Sequence, residues 1–195
     1  MNLPTKLTVI RICLIPVFVV LFFVQFPYHA FVATGVFILA CLTDFLDGYL
    51  ARKRNEVTDL GKFLDPIADK MLVACALIAI ITLFDGLWQM GVAVCAMIIL
   101  SRELMVSGFR IVAASKNVVL AADIFGKIKT VLQMCALIIL IPLADIEACI
   151  ISAGASGVIF TVIWYIGLIL LALSTIMAIV SGINYLVKNR QVFKA

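Results

Sequence analysis

Residues 12–43 carry no acidic or basic side chain, a run too long for one membrane crossing and interrupted only by Pro27-Tyr28-His29. Away from water, a backbone must satisfy its own N–H and C=O groups, so such a run belongs to helices packed in a bilayer. The pattern recurs at 71–84, 86–100, 130–144 and 148–187, all free of charge. Composition agrees: 65% of residues are apolar and 13% charged, against about 45–50% and 25% in soluble domains. A soluble domain, a disordered tail and a secreted disulfide scaffold are excluded.

Three of these runs fall short of the ~20 residues a crossing needs, so their helices must extend into polar flanks. The expected spans are 9–26, 30–51, 61–84, 87–107, 124–144 and 158–187, with a turn at Ala153-Gly154-Ala155-Ser156-Gly157 before the last. The expected fold is all-α: one membrane-embedded domain over 1–195, with six transmembrane helices and a short interfacial helix over Asn2–Arg11. Thr8 and Arg11 there either touch a lipid or nucleotide phosphate or simply anchor the segment. Lys6 and Arg11 before Ile12–Phe26 superficially resemble a signal peptide. No A-x-A site follows and another apolar run begins at once, so the span is read as retained. Cys13, Cys41, Cys75, Cys95, Cys135 and Cys149 form no C-x-x-C pair. They read as small buried hydrophobes rather than zinc ligands, and His29, the single histidine, reads as a turn residue.

With six spans both termini share a side, and all 15 Lys and Arg residues fall there or on helix ends facing it. The opposite connections hold only Asp85, Asp145 and Glu147. The positive-inside rule makes the basic side cytoplasmic, in the cell's plasma membrane. Charges encroach on several spans from that end alone. Lipid-facing charge is costly, so they imply a shared water-accessible cavity there. Nothing points to a nucleic-acid partner.

The segment Thr43–Lys70, TDFLDGYLARKRNEVTDLGKFLDPIADK, is the most informative. Asp44 and Asp47 stand at i, i+3 and Asp65 and Asp69 at i, i+4, on consecutive antiparallel helices. At about 100° per residue, Asp44, Asp47, Gly48 and Ala51 form one stripe and Gly61, Asp65 and Asp69 another. Four converging carboxylates would each cost ~2.5–3.5 kcal/mol at membrane depth. Hard Mg²⁺ or Mn²⁺ offsets that, and two metals on shared carboxylates would polarise a phosphoryl centre. The small residues beside the acids fit a diphosphate approaching the backbone closely, and Arg52 is placed to pair with a phosphate. Ion pairing of the acids with Arg52, Lys53, Lys62 and Lys70 is the plain alternative, and a divalent-cation carrier or channel is the alternative from another class.

The run Asp44-x₂-Asp47-Gly48-x₂-Ala51-Arg52-x₈-Gly61-x₃-Asp65-x₃-Asp69 resembles, without a departure, the signature of the CDP-alcohol phosphotransferase family. That resemblance implies six transmembrane helices, a two-metal site and a homodimer. It also implies transfer of a phosphatidyl-type group from a CDP-linked lipid to an alcohol, with release of CMP. Carried over by position, Asp44, Asp47, Asp65 and Asp69 correspond to metal ligands, and Asp69 to the base that takes the acceptor hydroxyl's proton. Gly48, Ala51, Arg52 and Gly61 correspond to CDP-facing positions, with Thr58 a further nucleotide contact.

A second polar cluster concerns the acceptor. Ser101–Arg110 (SRELMVSGFR) ends the fourth span, and Gly126-Lys127-Ile128-Lys129-Thr130 opens the fifth. Cations gathered beside a phosphoryl-transfer centre suggest an anionic acceptor such as a phosphorylated polyol, held by Ser107, Arg110, Lys127 and Lys129. The ordinary positive-inside excess is the bland reading of each. These runs, with the opening Asn2–Arg11, resemble the bacterial phosphatidylglycerophosphate synthase group of that family. The resemblance implies CDP-diacylglycerol as donor and sn-glycerol 3-phosphate as acceptor, among membrane lipids. Inositol phosphate, serine or phosphatidylglycerol stand as other acceptors.

Overall fold

The structure, a computed structural model, describes residues 3–54, 59–115, 124–152 and 157–188. Within them it describes all side chains except those of 3–5, 44–54, 59–63, 65, 66, 114 and 115. Among these residues there are seven helices and no strand: α1 (Leu3–Phe23), α2 (His29–Arg54), α3 (Asp59–Ile81), α4 (Gly86–Ser115), α5 (Ile124–Leu140), α6 (Leu143–Ser152) and α7 (Gly157–Lys188). Lys6–Phe23, Gly86–Ala113, Ile124–Ser152 and Gly157–Lys188 are long and apolar enough to cross a membrane, and His29–Thr43 is a shorter apolar stretch. Asp44 and Asp47 follow Thr43 in the sequence of α2, and α3 opens with Asp59 and Lys62, so each helix carries charge at the end joined to the other.

Helix limits depart from the expected spans. Residues 3–11, expected as a short interfacial helix, are the opening of α1, which runs unbroken into the first span. Pro4 lies in the first turn, where its missing N–H has no intrahelical partner to lose, so it starts the helix without breaking it. The fifth span, expected over 124–144, ends at Leu140, and an unexpected α6 follows a two-residue turn holding Pro142. A proline cannot donate to the preceding turn and clashes with its carbonyl. Asp145, in the first turn of α6 and 7% exposed, accepts a hydrogen bond from the Phe31 backbone N–H at 2.8 Å. The carboxylate thus satisfies an otherwise orphaned donor in the first turn of α2. Tyr28, with φ of 65°, turns the chain just ahead of α2.

α1 packs on both α2 and α3, and α7 packs on α4 and α5. Ile15, Phe18 and Phe22 of α1 meet Phe37 of α2, with the Phe18 and Phe37 rings 5.9 Å apart. At the end of the bundle where α3 finishes and α7 begins, Phe84, Trp88, Trp164 and Tyr165 cluster, the Trp88 and Trp164 rings 4.6 Å apart. Amphipathic aromatics of this kind sit at headgroup level. The outward faces stay apolar, Leu87 being 85% exposed and Ile111 72%. All six cysteines are free, and Cys13 and Cys135 are exposed where burial was expected. Where lipid is the solvent, an apolar residue has no need of the interior.

The buried stripe of α7 runs Gly167, Leu171, Ser174, Ala178, Ser181 and Gly182. Ser174, Thr175 and Ser181 donate back to the Leu171 and Ala178 carbonyls, so their hydroxyls are satisfied within the helix. Small residues let helix backbones approach closely in a membrane. A Cβ on Gly167 would lie 2.9 Å from Leu140 Cγ, and nearer still to Cδ2. Gly167→Leu is therefore expected to destabilise the protein by about 1–3 kcal/mol through overpacking. Thermal unfolding in detergent measures it, and an unchanged midpoint would contradict this packing.

Candidate active site

The end of the bundle opposite the aromatic cluster holds a cavity of about 340 Å³ between α3, α4, α5 and α7. α3 supplies Asp69, Lys70 and Val73, and α4 supplies Arg102, Glu103, Val106, Ser107 and Arg110. α5 adds Gly126, Lys127, Thr130 and Met134, and α7 adds Tyr185. Four basic side chains face two carboxylates, so the cavity carries a net positive charge suited to an anion. Helix phase explains the grouping: 103, 106, 107 and 110 are one face of α4, and 126, 127, 130 and 134 one face of α5.

Two clusters separated in sequence therefore share one wall. Asp69, from the carboxylate segment, lines the same cavity as Ser107, Arg110 and Lys127 from the basic segments. The side chain of Asp69 is 48% exposed, and its Oδ1 lies 3.7 Å from Nη1 of Arg11, which is fully buried. Asp44, Asp47, Gly48, Ala51 and Arg52 fall in α2, and Gly61 and Asp65 in α3. Their side chains lie outside those described, and Thr58 lies outside the described residues. No cluster of three or more His, Cys, Asp or Glu side chains occurs among the described residues.

Each basic residue in the cavity has a distinct setting. Arg110 Nε donates to the Tyr185 hydroxyl at 3.4 Å, and its guanidinium carbon stands 5.9 Å from the centre of that ring. Tyr185 is 3% exposed and packs edge-on to Phe109, so the ring is a fixed platform beneath the cation. Arg102 threads between two glycines. A Cβ on Gly126 would lie 3.2 Å from its Nη2, and one on Gly182 3.4 Å from its Cγ. Ser107 already donates its hydroxyl to the Glu103 carbonyl at 2.6 Å, so it receives a ligand as an acceptor or by releasing that bond.

Lys129 is set apart. It is 1% exposed, outside the cavity lining, and ion-paired to Glu103 Oε1. Reasoning from sequence missed Tyr185, which sits in an apolar stretch 75 residues from Arg110 with no local signal. Arg102 and Glu103, within the S-R-E run, also line the cavity.

The chain matches the CDP-alcohol phosphatidyltransferase family over residues 1–187. It belongs to that family. It is 35% identical over 194 residues to a CDP-diacylglycerol–glycerol-3-phosphate 3-phosphatidyltransferase of Wigglesworthia glossinidia brevipalpis, covering 95% of this chain and 93% of that one. A protein of the same name from Bacillus subtilis (strain 168) is 43% identical over 147 residues, 69% of this chain and 74% of that one. A cardiolipin synthase (CMP-forming) of Oryza sativa subsp. japonica is 40% identical over 156 residues, 74% of this chain but 47% of that one.

Removing one partner of a buried ion pair strands the other charge, at about 3–5 kcal/mol. Glu103→Leu is expected to destabilise the protein by that order, and Lys129→Met added to it to recover most of the loss. Unfolding in detergent measures both. A double variant as unstable as the single one would show that Lys129 does not depend on Glu103.

Proposed function

We propose that the protein is an integral membrane phosphatidyltransferase that transfers a phosphatidyl group from CDP-diacylglycerol to sn-glycerol 3-phosphate. The products are phosphatidylglycerol phosphate and CMP. The observation that carries this reading is the shared cavity, in which Asp69 of the family signature lies beside the cationic wall of Ser107, Arg110 and Lys127. Relatives bearing the name of that reaction, matched over nearly the whole chain, support it.

In this mechanism the acceptor's phosphate rests on Arg110 and Lys127, with Ser107 beside them, and Lys129 contributes by holding Glu103. Charge-assisted bonds of this type are the strong ones. They present the acceptor's hydroxyl to Asp69, which takes its proton as the oxygen attacks the lipid-linked β-phosphorus. The bond from that phosphorus to the bridging oxygen breaks, and the electron pair leaves with CMP. Gly48, Ala51, Arg52, Thr58 and Gly61 hold the CDP moiety.

The donor set fits a hard divalent cation, since Asp44, Asp47, Asp65 and Asp69 offer only oxygen and the Asp69 side chain is half-exposed. These four residues would hold two Mg²⁺ or Mn²⁺ ions, which would supply charge neutralisation at the diphosphate. The proposed assembly is one unit over 1–195 with six membrane-crossing helices, pairing as a homodimer as the family resemblance implies. Both termini and the cavity face the cytoplasm across the plasma membrane, a topology supported by the gathering of basic residues at the cavity end. A soluble acceptor then enters from water and the lipid from the side.

The relative named as a cardiolipin synthase favours a second reading, in which phosphatidylglycerol is the acceptor. Kinetics of two variants separate the parts of the proposal. Asp69→Asn is expected to lower turnover by at least about 100-fold, the scale of a lost general base. Arg110→Ala is expected to raise the KM for glycerol 3-phosphate about 10- to 100-fold. Wild-type turnover in the first would remove Asp69 from the base role, and an unchanged KM in the second would remove Arg110 from the acceptor site.

A further inference from the structure

We infer that Arg11 is a positioning residue for Asp69, a guanidinium that α1 carries through the core to the carboxylate at the cavity. The inference rests on the role proposed above for Asp69. Thr8, Arg11, Ile15, Phe18 and Phe22 are all buried, spaced 3, 4, 3 and 4 residues apart, so they form the inward stripe of α1. Arg11 therefore occupies a core position of a helix packed on α3, and it is among the largest fully buried side chains of the protein. A residue that merely anchored this segment to a membrane surface would turn its charged head outward to water. Arg11 is instead 0% exposed, with Nη1 3.7 Å from Asp69 Oδ1.

The two residues stand differently toward the site. Asp69 lines the cavity and is 48% exposed, whereas Arg11 is outside the lining. Arg11 thus acts through Asp69 and makes no contact with a ligand held in the cavity. With Oδ1 drawn toward the guanidinium, Oδ2 is the oxygen presented to the acceptor's hydroxyl. The buried guanidinium gives the half-exposed carboxylate a charge partner fixed by the packing of α1 on α3. A guanidinium presents its charge as a planar fork, which an ammonium does not reproduce.

Arg11→Gln and Arg11→Lys test this in the purified full-length protein, with CDP-diacylglycerol, glycerol 3-phosphate and Mn²⁺. Arg11→Gln is expected to lower kcat about 10- to 100-fold with both substrate KM values within about twofold of wild type. Arg11→Lys, which keeps the charge but loses the fork, is expected to recover kcat only in part, to about 3- to 10-fold below wild type. Binding of Mn²⁺ without substrate, followed by loss of the free-ion electron paramagnetic resonance signal, is expected to persist in both. Arg11→Gln at wild-type kcat would overturn the inference, as would a raised acceptor KM with kcat unchanged, which would make Arg11 a substrate contact. Equal loss in both variants, with Mn²⁺ binding lost and the same fall in melting temperature, would reduce Arg11 to a structural role. If Arg11→Gln does not fold, Arg11→Lys decides alone: lowered kcat with retained KM supports the inference, and wild-type kcat overturns it. Should Asp69→Asn stay active, the Asp69 reading itself fails; an inactive Asp69→Asn beside a normal Arg11→Gln isolates the failure to Arg11.

Discussion

A charge placed against lipid is expensive, and the disposition of charge in this chain follows from that expense. The helices carry apolar surface outward, so their acids and bases can be tolerated only where other polar groups or water receive them. α3, α4, α5 and α7 bring theirs to one end of the bundle, where Asp69, Lys70, Arg102, Glu103, Arg110 and Lys127 share one cavity. Asp145 meets the same constraint at the α2 turn by capping the Phe31 N–H. Had the charges been spread along the helices, no arrangement of these spans would have sheltered them all.

Two consequences follow for the chemistry. Cations set outside the cavity lining pair with its acids: Lys129 with Glu103, and Arg11 with Asp69. Small residues then set how near those groups come. Gly126 and Gly182 make the slot in which Arg102 lies, and Gly167 lets α7 close on Leu140 of α5. The family membership and the cavity concern the same chain: residues 1–187 match the family, and Asp69 lines one cavity with Arg110 and Lys127.

Much of this was legible in the sequence because hydrophobicity and charge are read directly from residue type. The long helices and the clustering of basic residues at one end needed only run lengths and charge positions. The break at Pro142 was legible in principle, since a proline between two apolar stretches ends a helix, but the unbroken apolar run concealed it. Burial was the weak point. In a membrane bundle apolar residues face both ways, so Cys13 and Cys135 gave no clue to their exposure. The partnership of Arg110 with Tyr185 spans 75 residues and depends on how α4 crosses α7, which no local pattern encodes. Arg11 was visible as a charge at the start of a span. Its phase with Ile15, Phe18 and Phe22 was the available sign that it points inward.

The central claim is that the carboxylate of Asp69 and the cationic wall beside it serve one reaction with a phosphorylated acceptor. Release of CMP by purified protein, given CDP-diacylglycerol and Mg²⁺, tests it most directly when glycerol 3-phosphate, phosphatidylglycerol, inositol phosphate, serine and no acceptor are compared. The account predicts release that depends on the metal and on glycerol 3-phosphate. Metal-dependent release with an acceptor lacking a phosphate, and none with glycerol 3-phosphate, would contradict it.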